Sequence, residues 1–443
     1  MRALDRKNRH LVGRDFGDIS RGLLSKGRRA TSLSDWPSTN AAARNDLVPH
    51  AGQGIRRPAS FSIDPPVQPI YLDFNATTPL APSALESMQP FWCEHFLLPG
   101  QEHQGSRAIA DGLEQARESV AELIGCDAFE LVFTDGGTEA NNLAILGVAA
   151  SLPAGHLLVS ELEHDSVRHA AFSLQASGWE VETVPCEADG IVSAEEIAER
   201  LRPETRLVCL QGANPVLGTL QPVRAVADYC HRHGVLVHCD ATQMMGKLPV
   251  DIGHLHADTL AISGHKFYGP KGTGALYVRR GLSLRAIRFG ESREMGLRPG
   301  AENVPGLIGL GTAARLAAKC SSQASDKFTD LSERFIFKVR EMIDPLVEMV
   351  CERSSRLPNT VTLVLPAEAR RIQRVAGRLV VATAQCASPA DEMTRCLAAV
   401  GLTDHQIAGA IRVSFGWTTS QEQVDRAAEL LAEAWDQLAE KHR

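Results

Sequence analysis

No stretch of the 443-residue chain approaches the roughly 18–20 consecutive apolar residues that a membrane-spanning helix requires. The longest, Leu143 to Leu152, sits inside an amphipathic pattern, so an integral membrane protein is not expected. Ten cysteines contain no Cys-x-x-Cys pair, which counts against zinc ribbons and thioredoxin-like redox motifs. Ten thiols in a chain of this size, with no signal peptide ahead of them, do not make a disulfide framework either. A basic excess is also missing: 46 Lys and Arg stand against 53 Asp and Glu, a net of −7, which argues against a nucleic-acid partner held by global charge. Glu is absent from residues 1–60, where twelve Lys and Arg and five Asp give +7 and leave −14 for the other 383 residues. What remains, 44% hydrophobic and 22% charged, is the composition of a cytoplasmic enzyme with reduced thiols and room for two or three domains.

The basic leader is rich in Arg, Ser, Asn and Gly and keeps no apolar period, so residues 1–66 read as a tail without fixed structure. Its five Asp residues count against a transit peptide. Ordered structure is expected from Ile70, after the Pro-rich hinge around Pro65-Pro66 and Pro69. Short β-branched runs then predict strands at Leu131–Thr134, His156–Ser160, Val181–Pro185, Arg206–Leu210, Val235–Cys239, Thr259–Ser263 and Ala275–Val278. Helical patterns lie between them at Thr138–Ala150, Ser166–Ala176, Ala194–Leu201 and Val223–His233. This alternation predicts an α/β fold, a mainly parallel seven-stranded sheet with helices on both faces. A long helical segment (about 306–350), strands near 360–365 and 377–384, a helix at 391–399, a strand at Ala410–Phe415 and a helix at Glu422–Lys441 predict a smaller C-terminal α/β domain. The division is therefore 1–66, an extension; 67–305, a large domain with an N-terminal arm; and 306–443, a small domain.

Ligands of open α/β sheets lie outside the carboxyl ends of the strands, so the residues after each strand carry the chemistry. Leu131–Thr134 runs into Asp135-Gly136-Gly137-Thr138, whose backbone N–H groups, hydroxyl and helix dipole suit a phosphate, although the same residues make a common turn and cap. Val235–Cys239 ends in Asp240-Ala241-Thr242-Gln243, and Thr259–Ser263 ends in Ser263-Gly264-His265-Lys266. A lone lysine at a cleft mouth is usually solvated. An acidic strand end about 25 residues before a lysine flanked by Ser, Gly and His is instead what a pyridoxal phosphate (PLP) site requires, a Schiff-base lysine with an Asp partner for the pyridinium nitrogen.

In this order the motifs resemble the class V aminotransferase-fold family, and within it the cysteine desulfurases and selenocysteine lyases. The resemblance rests on Tyr71–Pro79, Thr134–Asn142, Glu163-His164, Asp240–Gln243, Ser263–Lys266 with Tyr268–Gly272, Arg298-Pro299-Gly300 and Ile411–Ser414, and covers about residues 70–440. It implies a PLP-dependent transferase of fold type I, working as a homodimer. By position it assigns Lys266 to the Schiff base and proton transfer, and Asp240 to the pyridine nitrogen. Gln243 falls to the phenolic oxygen, and Gly137, Thr138, Ser263 and His265 to the phosphate. His164 falls to the ring face, with a part in proton transfer, and Arg412 to the substrate carboxylate. The bland readings are that His164 caps the following helix and that Arg412 makes an interdomain salt bridge.

A desulfurase also needs a mobile cysteine. Cys386, 26 residues before Arg412, matches the family's register, whereas Cys209 and Cys239 fall in buried strands, Cys396 on a helix and Cys93 near a loop. The implied reaction converts L-cysteine to L-alanine, leaves a persulfide on Cys386 and passes the sulfur to an acceptor protein. Selenocysteine lyase, β-elimination or transamination by another class V enzyme, and a non-catalytic paralogue serving as a binding subunit are the rivals. Several positions depart from the family pattern. The Asn that contacts the phenolic oxygen aligns with Pro215, so either Asn214 takes over that contact or it is missing. Thr383-Ala384-Gln385 replaces Gly and Ser before Cys386, Ala301 replaces a Thr that reaches the neighbouring subunit, Gly290–Met295 and Leu98–His103 are altered, and Asp135 puts a negative charge beside an anion site. A metal site at Cys230, His231, His233, His238 and Cys239 is rejected, because neighbouring side chains on a strand face opposite ways. His254 and His256 lack partners for one.

Overall fold

The structure, a computed structural model, describes residues 69–344, 347–384 and 391–440; Cys386 and the expected 1–66 extension lie outside the described residues. A two-residue strand, β1 (Ile70–Tyr71), opens the chain. The central sheet then takes β2 (Leu131–Thr134), β3 (His156–Ser160), β4 (Glu180–Val184), β5 (Thr205–Cys209), β6 (Leu236–Asp240), β7 (Thr259–Ser263) and β8 (Gly274–Val278), in the order β2-β8-β7-β6-β5-β3-β4. The five strands from β7 to β4 are parallel, while β8 runs antiparallel to both its neighbours. That reversal follows from length, since the short turn between Ser263 and Gly274 leaves no room for the dozen or more residues of a parallel crossover. All seven expected strands form, three shifted by one residue and β8 starting one residue earlier.

The inner strands β3, β7 and β8 and the edge strand β2 are buried along their whole length, as Leu-, Val- and Ile-rich runs covered on both faces should be. At the edge, β4 exposes Glu180 and half-exposes Glu182, which Arg202 grips, so the open backbone is guarded by charge. Helices Gly137–Ala149 and Asp165–Ser173 pack together, and Ile145, Val148, Val167 and Ala171 share one core with Leu157, Val159 and Trp179.

The C-terminal part holds β9 (Glu348–Met349), β10 (Thr360–Val364), β11 (Leu379–Val380), β12 (Ala382–Thr383) and β13 (Ala410–Ser414). Four of these form an antiparallel sheet, β12-β13-β10-β9. The single strand expected near 377–384 is split at Val381, because β11 pairs in parallel with β1 whereas β12 pairs with β13. The N-terminal segment thus joins the C-terminal strands, then reaches the central sheet's loops, where Thr78 N–H donates to the His265 carbonyl and Ala81 N–H to that of Tyr268.

Helix Val304–Met342 ends eight residues short of the expected 350, two residues before the position that precedes Pro345, where helical geometry is disfavoured. It packs on helices Pro82–Met88 and Gln104–Ile124, which the sequence reading did not anticipate, and on Gln421–Glu440. Its close crossing depends on Gly311, where a Cβ would lie 2.5 Å from the Ala116 Cα. No described helix is both long and apolar enough to cross a membrane.

Gly416 follows β13 under the Phe74 ring, and a Cβ there would lie 2.2 Å from Phe74 Cε1. Gly416→Ala is therefore expected to cost about 1–3 kcal/mol by overpacking, measured by chemical denaturation. An unchanged midpoint would show that the N-terminal segment is not clamped there.

Candidate active site

A cavity of about 640 Å3 opens at the carboxyl ends of β2, β6 and β7 and is closed on its other side by Arg412 of β13 and the segment Asn75–Thr77. At the end of β2, Gly136 adopts φ +137°, open to glycine alone among common residues, and helix Gly137–Ala149 starts without a side-chain cap. A Cβ on Gly137 would lie 2.7 Å from Thr242 Cγ2 and 3.3 Å from Ser263 Cβ. Bare N–H groups at this N-terminus, with Thr138, Ser263 and His265 lining the same wall, fit a phosphate. His265 accepts or donates at Nδ1 to Thr77 Oγ1, 3.0 Å away, and burial with Lys266 and Lys271 nearby holds its pKa down at about 4, so the ring is neutral.

Asp240 ends β6, buried, with Oδ2 accepting from Asn141 Nδ2 (2.8 Å) and Oδ1 from the Thr242 N–H (3.0 Å). Asn141 is fixed in turn. Its Nδ2 also donates to Ser166 Oγ (2.8 Å), and its Oδ1 meets His238 Nε2 at 3.0 Å. His238 Nδ1 lies 2.9 Å from Thr259 Oγ1, and burial lowers its pKa to about 4. A neutral imidazole with its proton on Nε2 satisfies both contacts, the hydroxyl donating to Nδ1. His238 is thus occupied as a support for the Asp240 carboxylate. Among the described residues no three His, Cys, Asp or Glu side chains gather to hold a metal ion.

Lys266 closes a 3₁₀ turn after β7 and donates from Nζ to the carbonyls of Asn75 (2.8 Å) and Ala76 (3.0 Å). Burial pushes its pKa below the usual lysine range and Arg412 pushes the same way, while Glu392, Asp240 and Asp73 pull back. The amine is thereby biased toward the nucleophilic form that Schiff-base chemistry needs. Gln243 lines the same cavity.

His164 caps a helix and lines the cavity. Its Nδ1 accepts from the Ser166 N–H (3.1 Å) and so caps helix Asp165–Ser173, and its ring also lines the cavity. Ser166 Oγ, 2.7 Å from the same nitrogen, links His164 to Asn141 and hence to Asp240. Arg412 lines the cavity as well, with Nη2 paired to Asp73 Oδ1 at 2.5 Å and Nη1 donating to the Pro215 carbonyl at 3.2 Å. Its buried Nε meets no hydrogen-bond partner among the described residues, a donor left over in a cavity that has room for a carboxylate.

Asn214 is placed elsewhere than expected. It is fully buried and outside the cavity wall, its Oδ1 accepting from Val216 and Leu217 N–H and its Nδ2 reaching the Leu162 carbonyl and Cys396 Sγ. The local turn uses up its polar atoms, so it does not replace the donor missing at Pro215. Pro215 lines the cavity and contributes its carbonyl, which holds both Arg412 and Asn75 Nδ2 (2.9 Å). The charge of Asp135 is met by Arg288 and Arg298, which also reach Glu139.

None of the nine described cysteines lines the cavity. Cys209, Cys239 and Cys396 are buried, and burial raises each thiol's pKa, Cys396 to about 12. Ala382 of β12 is the register partner of Arg412, and Glu392 lines the cavity. Sequence reasoning missed Glu392 and the supporting residues Asn75, Asn141, His238 and Lys247. The one available signal was that Asn75 and Asn141 stand inside quoted motifs.

A family model described as Aminotransferase class-V matches residues 70–427. A cysteine desulfurase of Cereibacter sphaeroides is 40% identical over 381 residues, covering 83% of this chain and 96% of its own. A cysteine desulfurase of Mus musculus is 32% identical over 436 residues, covering 95% and 93%. Among solved structures, a NifS-like protein superposes with a TM-score of 0.77 at 30% identity, covering 84% of this chain and all of that one. SspA in complex with cysteine superposes at 0.68 and 31% identity, covering 78% and 98%.

His238 and His265 are held near pH 4 in the fold against about 6.5 in an unfolded chain. The unfolded state therefore binds more protons between these values, and stability present above pH 6.5 is lost as pH falls toward 4. Urea denaturation of the cofactor-free protein at pH 7.5, 6 and 5 should show this decline. His238→Gln, which cannot take up the proton, should show a shallower one; equal slopes would contradict the assignment.

Proposed function

Since the chain belongs to the class-V aminotransferase family, and within it to the cysteine desulfurases, we propose that this cavity is its PLP and L-cysteine site, releasing L-alanine and leaving a persulfide on Cys386. The observation that carries the reading is the buried Lys266 amine, biased toward neutrality, in one cavity with a fixed Asp240 carboxylate and a glycine cradle. Bound PLP supplies an electron sink next to the substrate Cα.

The protein's own groups do the rest. Gly137, Thr138, Ser263 and His265 hold the phosphate, and the Asn141–His238 pair aims Asp240 at the ring nitrogen. Gln243 donates to the phenolic oxygen. Lys266 would move the proton at the substrate Cα, and His164, oriented through Ser166, would meet the ring face and assist proton transfer. Arg412 takes the substrate carboxylate with its spare Nε while keeping Asp73. The Cys386 thiolate attacks the substrate sulfur, and the Cβ–S bond pair stays on carbon, where a proton completes alanine. The transferred sulfur leaves as Cys386–S–SH for an acceptor protein.

Further support exists for the remaining parts of this reading. Residues 67–305 supply the strand-end groups, and 306–443 supply Arg412 and Cys386. Exposed Trp92, Phe96 and Phe289 favour a homodimer, whose contacts would cover such side chains. The free described thiols favour a reducing, cytoplasmic setting.

The test is alanine release from L-cysteine with PLP and a reductant. Wild type should produce alanine, and Cys386→Ala should retain the visible PLP band with alanine release lost. Lys266→Ala should lose the band. Arg412→Ala should raise KM for cysteine roughly 10- to 100-fold, the loss of one charged, buried contact. Unchanged turnover in Cys386→Ala would refute the persulfide step.

A further inference from the structure

Lys247 has no part in the roles above, yet it is 4% exposed and adjoins the cavity without lining it. It stands four residues after Gln243. Its Nζ donates to Gln243 Oε1 at 2.6 Å and to Asn75 Oδ1 at 2.8 Å. Asn75 carries these contacts onward, because its carbonyl accepts from both Gln243 Nε2 (3.1 Å) and Lys266 Nζ (2.8 Å). Asn359 Nδ2 also donates to Asn75 Oδ1, at 3.1 Å, and Asn75 Nδ2 is held by Pro215 and Thr360.

An amide such as Gln243 offers one oxygen and two N–H donors, and the partners of the oxygen decide which end faces a ligand. Here Lys247 takes the oxygen and Asn75 one N–H. The other N–H is what the amide can turn to the cavity. Flipping the amide would set its NH2 against the Lys247 donor and its oxygen against the Asn75 carbonyl, leaving buried donors and acceptors mismatched.

The geometry points to Lys247 as a positioning residue that, from behind the cavity wall, fixes Gln243 as a hydrogen-bond donor toward the phenolic oxygen of PLP and so sets the cofactor's affinity and its titration. The inference rests on the proposed contact of Gln243 with PLP. Lys247 is faced by Lys266 from the turn after β7 and by Arg412 from β13. Burial, then these two neighbours, hold its pKa well below the usual range, and its Nζ is committed as a donor to the side-chain oxygens of Gln243 and Asn75. Asp240, Glu392 and Asp73 act on the neighbouring Lys266.

The holoenzymes of wild type, K247M, K247Q, Q243A and K247M/Q243A are compared by pH titration of the visible PLP band and by PLP dissociation in equilibrium dialysis. Donation to the phenolic oxygen draws off negative charge that would otherwise retain the neighbouring proton, so its loss should raise the titration midpoint. K247M should raise it in the direction of Q243A and weaken PLP binding about three- to tenfold, the scale of one hydrogen bond. K247Q, which keeps an N–H donor, should fall between wild type and K247M. On the Q243A background K247M should add no further shift, a non-additivity that a general loss of packing would not give. Additive midpoint shifts, or a K247M midpoint equal to wild type, would overturn the inference. If K247M does not fold, K247Q decides the same question in the two backgrounds. A wild type that takes up no PLP overturns the site reading and this inference together, whereas normal uptake with an unmoved midpoint overturns the inference alone.

Discussion

Placing an amine in a buried wall that already contains other cations is the constraint on which the site is built. Lys266, Lys247 and Arg412 bear on one another through a low-dielectric interior, where a like charge and lost hydration both disfavour the protonated lysine. The wall answers with neutral oxygens. The Asn75 carbonyl and side chain, the Ala76 and Pro215 carbonyls and the Gln243 amide take up the N–H groups, while Asp73 is spent on Arg412. Lysines so solvated are satisfied as donors without a carboxylate bonded to them, which keeps Lys266 close to the form that reacts. Asn75 is the joint of this arrangement, and its own N–H is fastened to Ser414 Oγ at 2.9 Å.

The departures from the family pattern look different once their surroundings are known. Asp135 does not confront a bound anion with free charge, because Arg288 and Arg298 lie against it. Pro215 removes a side-chain donor, yet its carbonyl serves two active-site residues, and that function needs no side chain. Asn214 is committed to its own turn. In the proposed site the cofactor's phenolic oxygen would have one fewer donor than the resemblance implies, which would place more of that task on Gln243.

Much of this was legible in the sequence because strand ends are. Apolar runs give the strands, right-handed crossovers put their carboxyl ends on one side, and Asp240, Ser263 and Lys266 therefore had to converge. Supports were not legible. Asn141 meets His238 across 97 residues and Lys247 meets Asn75 across 172, contacts that leave no periodic trace. His238 shows the limit well: strand alternation sets it on the opposite face from Cys239 but says nothing about Asn141. The pairing of β1 with β11 was hidden for a related reason, since two-residue strands carry too little pattern to name a partner.

The arrangement of chain ends also bears on how the enzyme is made. Asp73 and Arg412 are 339 residues apart, as are Asn75 and Ser414, so the wall behind Lys266 joins the first described segment to a strand near the end of the chain. A ribosome releases these partners 339 residues apart, at about 5–20 residues per second. The central sheet and its glycine cradle are complete as a sequence by Val278, long before the oxygen wall can close. Pairings this remote also close late, because loop entropy is lost before the contact forms. A nascent chain can therefore present the glycine cradle before Arg412 and the oxygen wall are in place, so the cavity is completed only once β13 has been made.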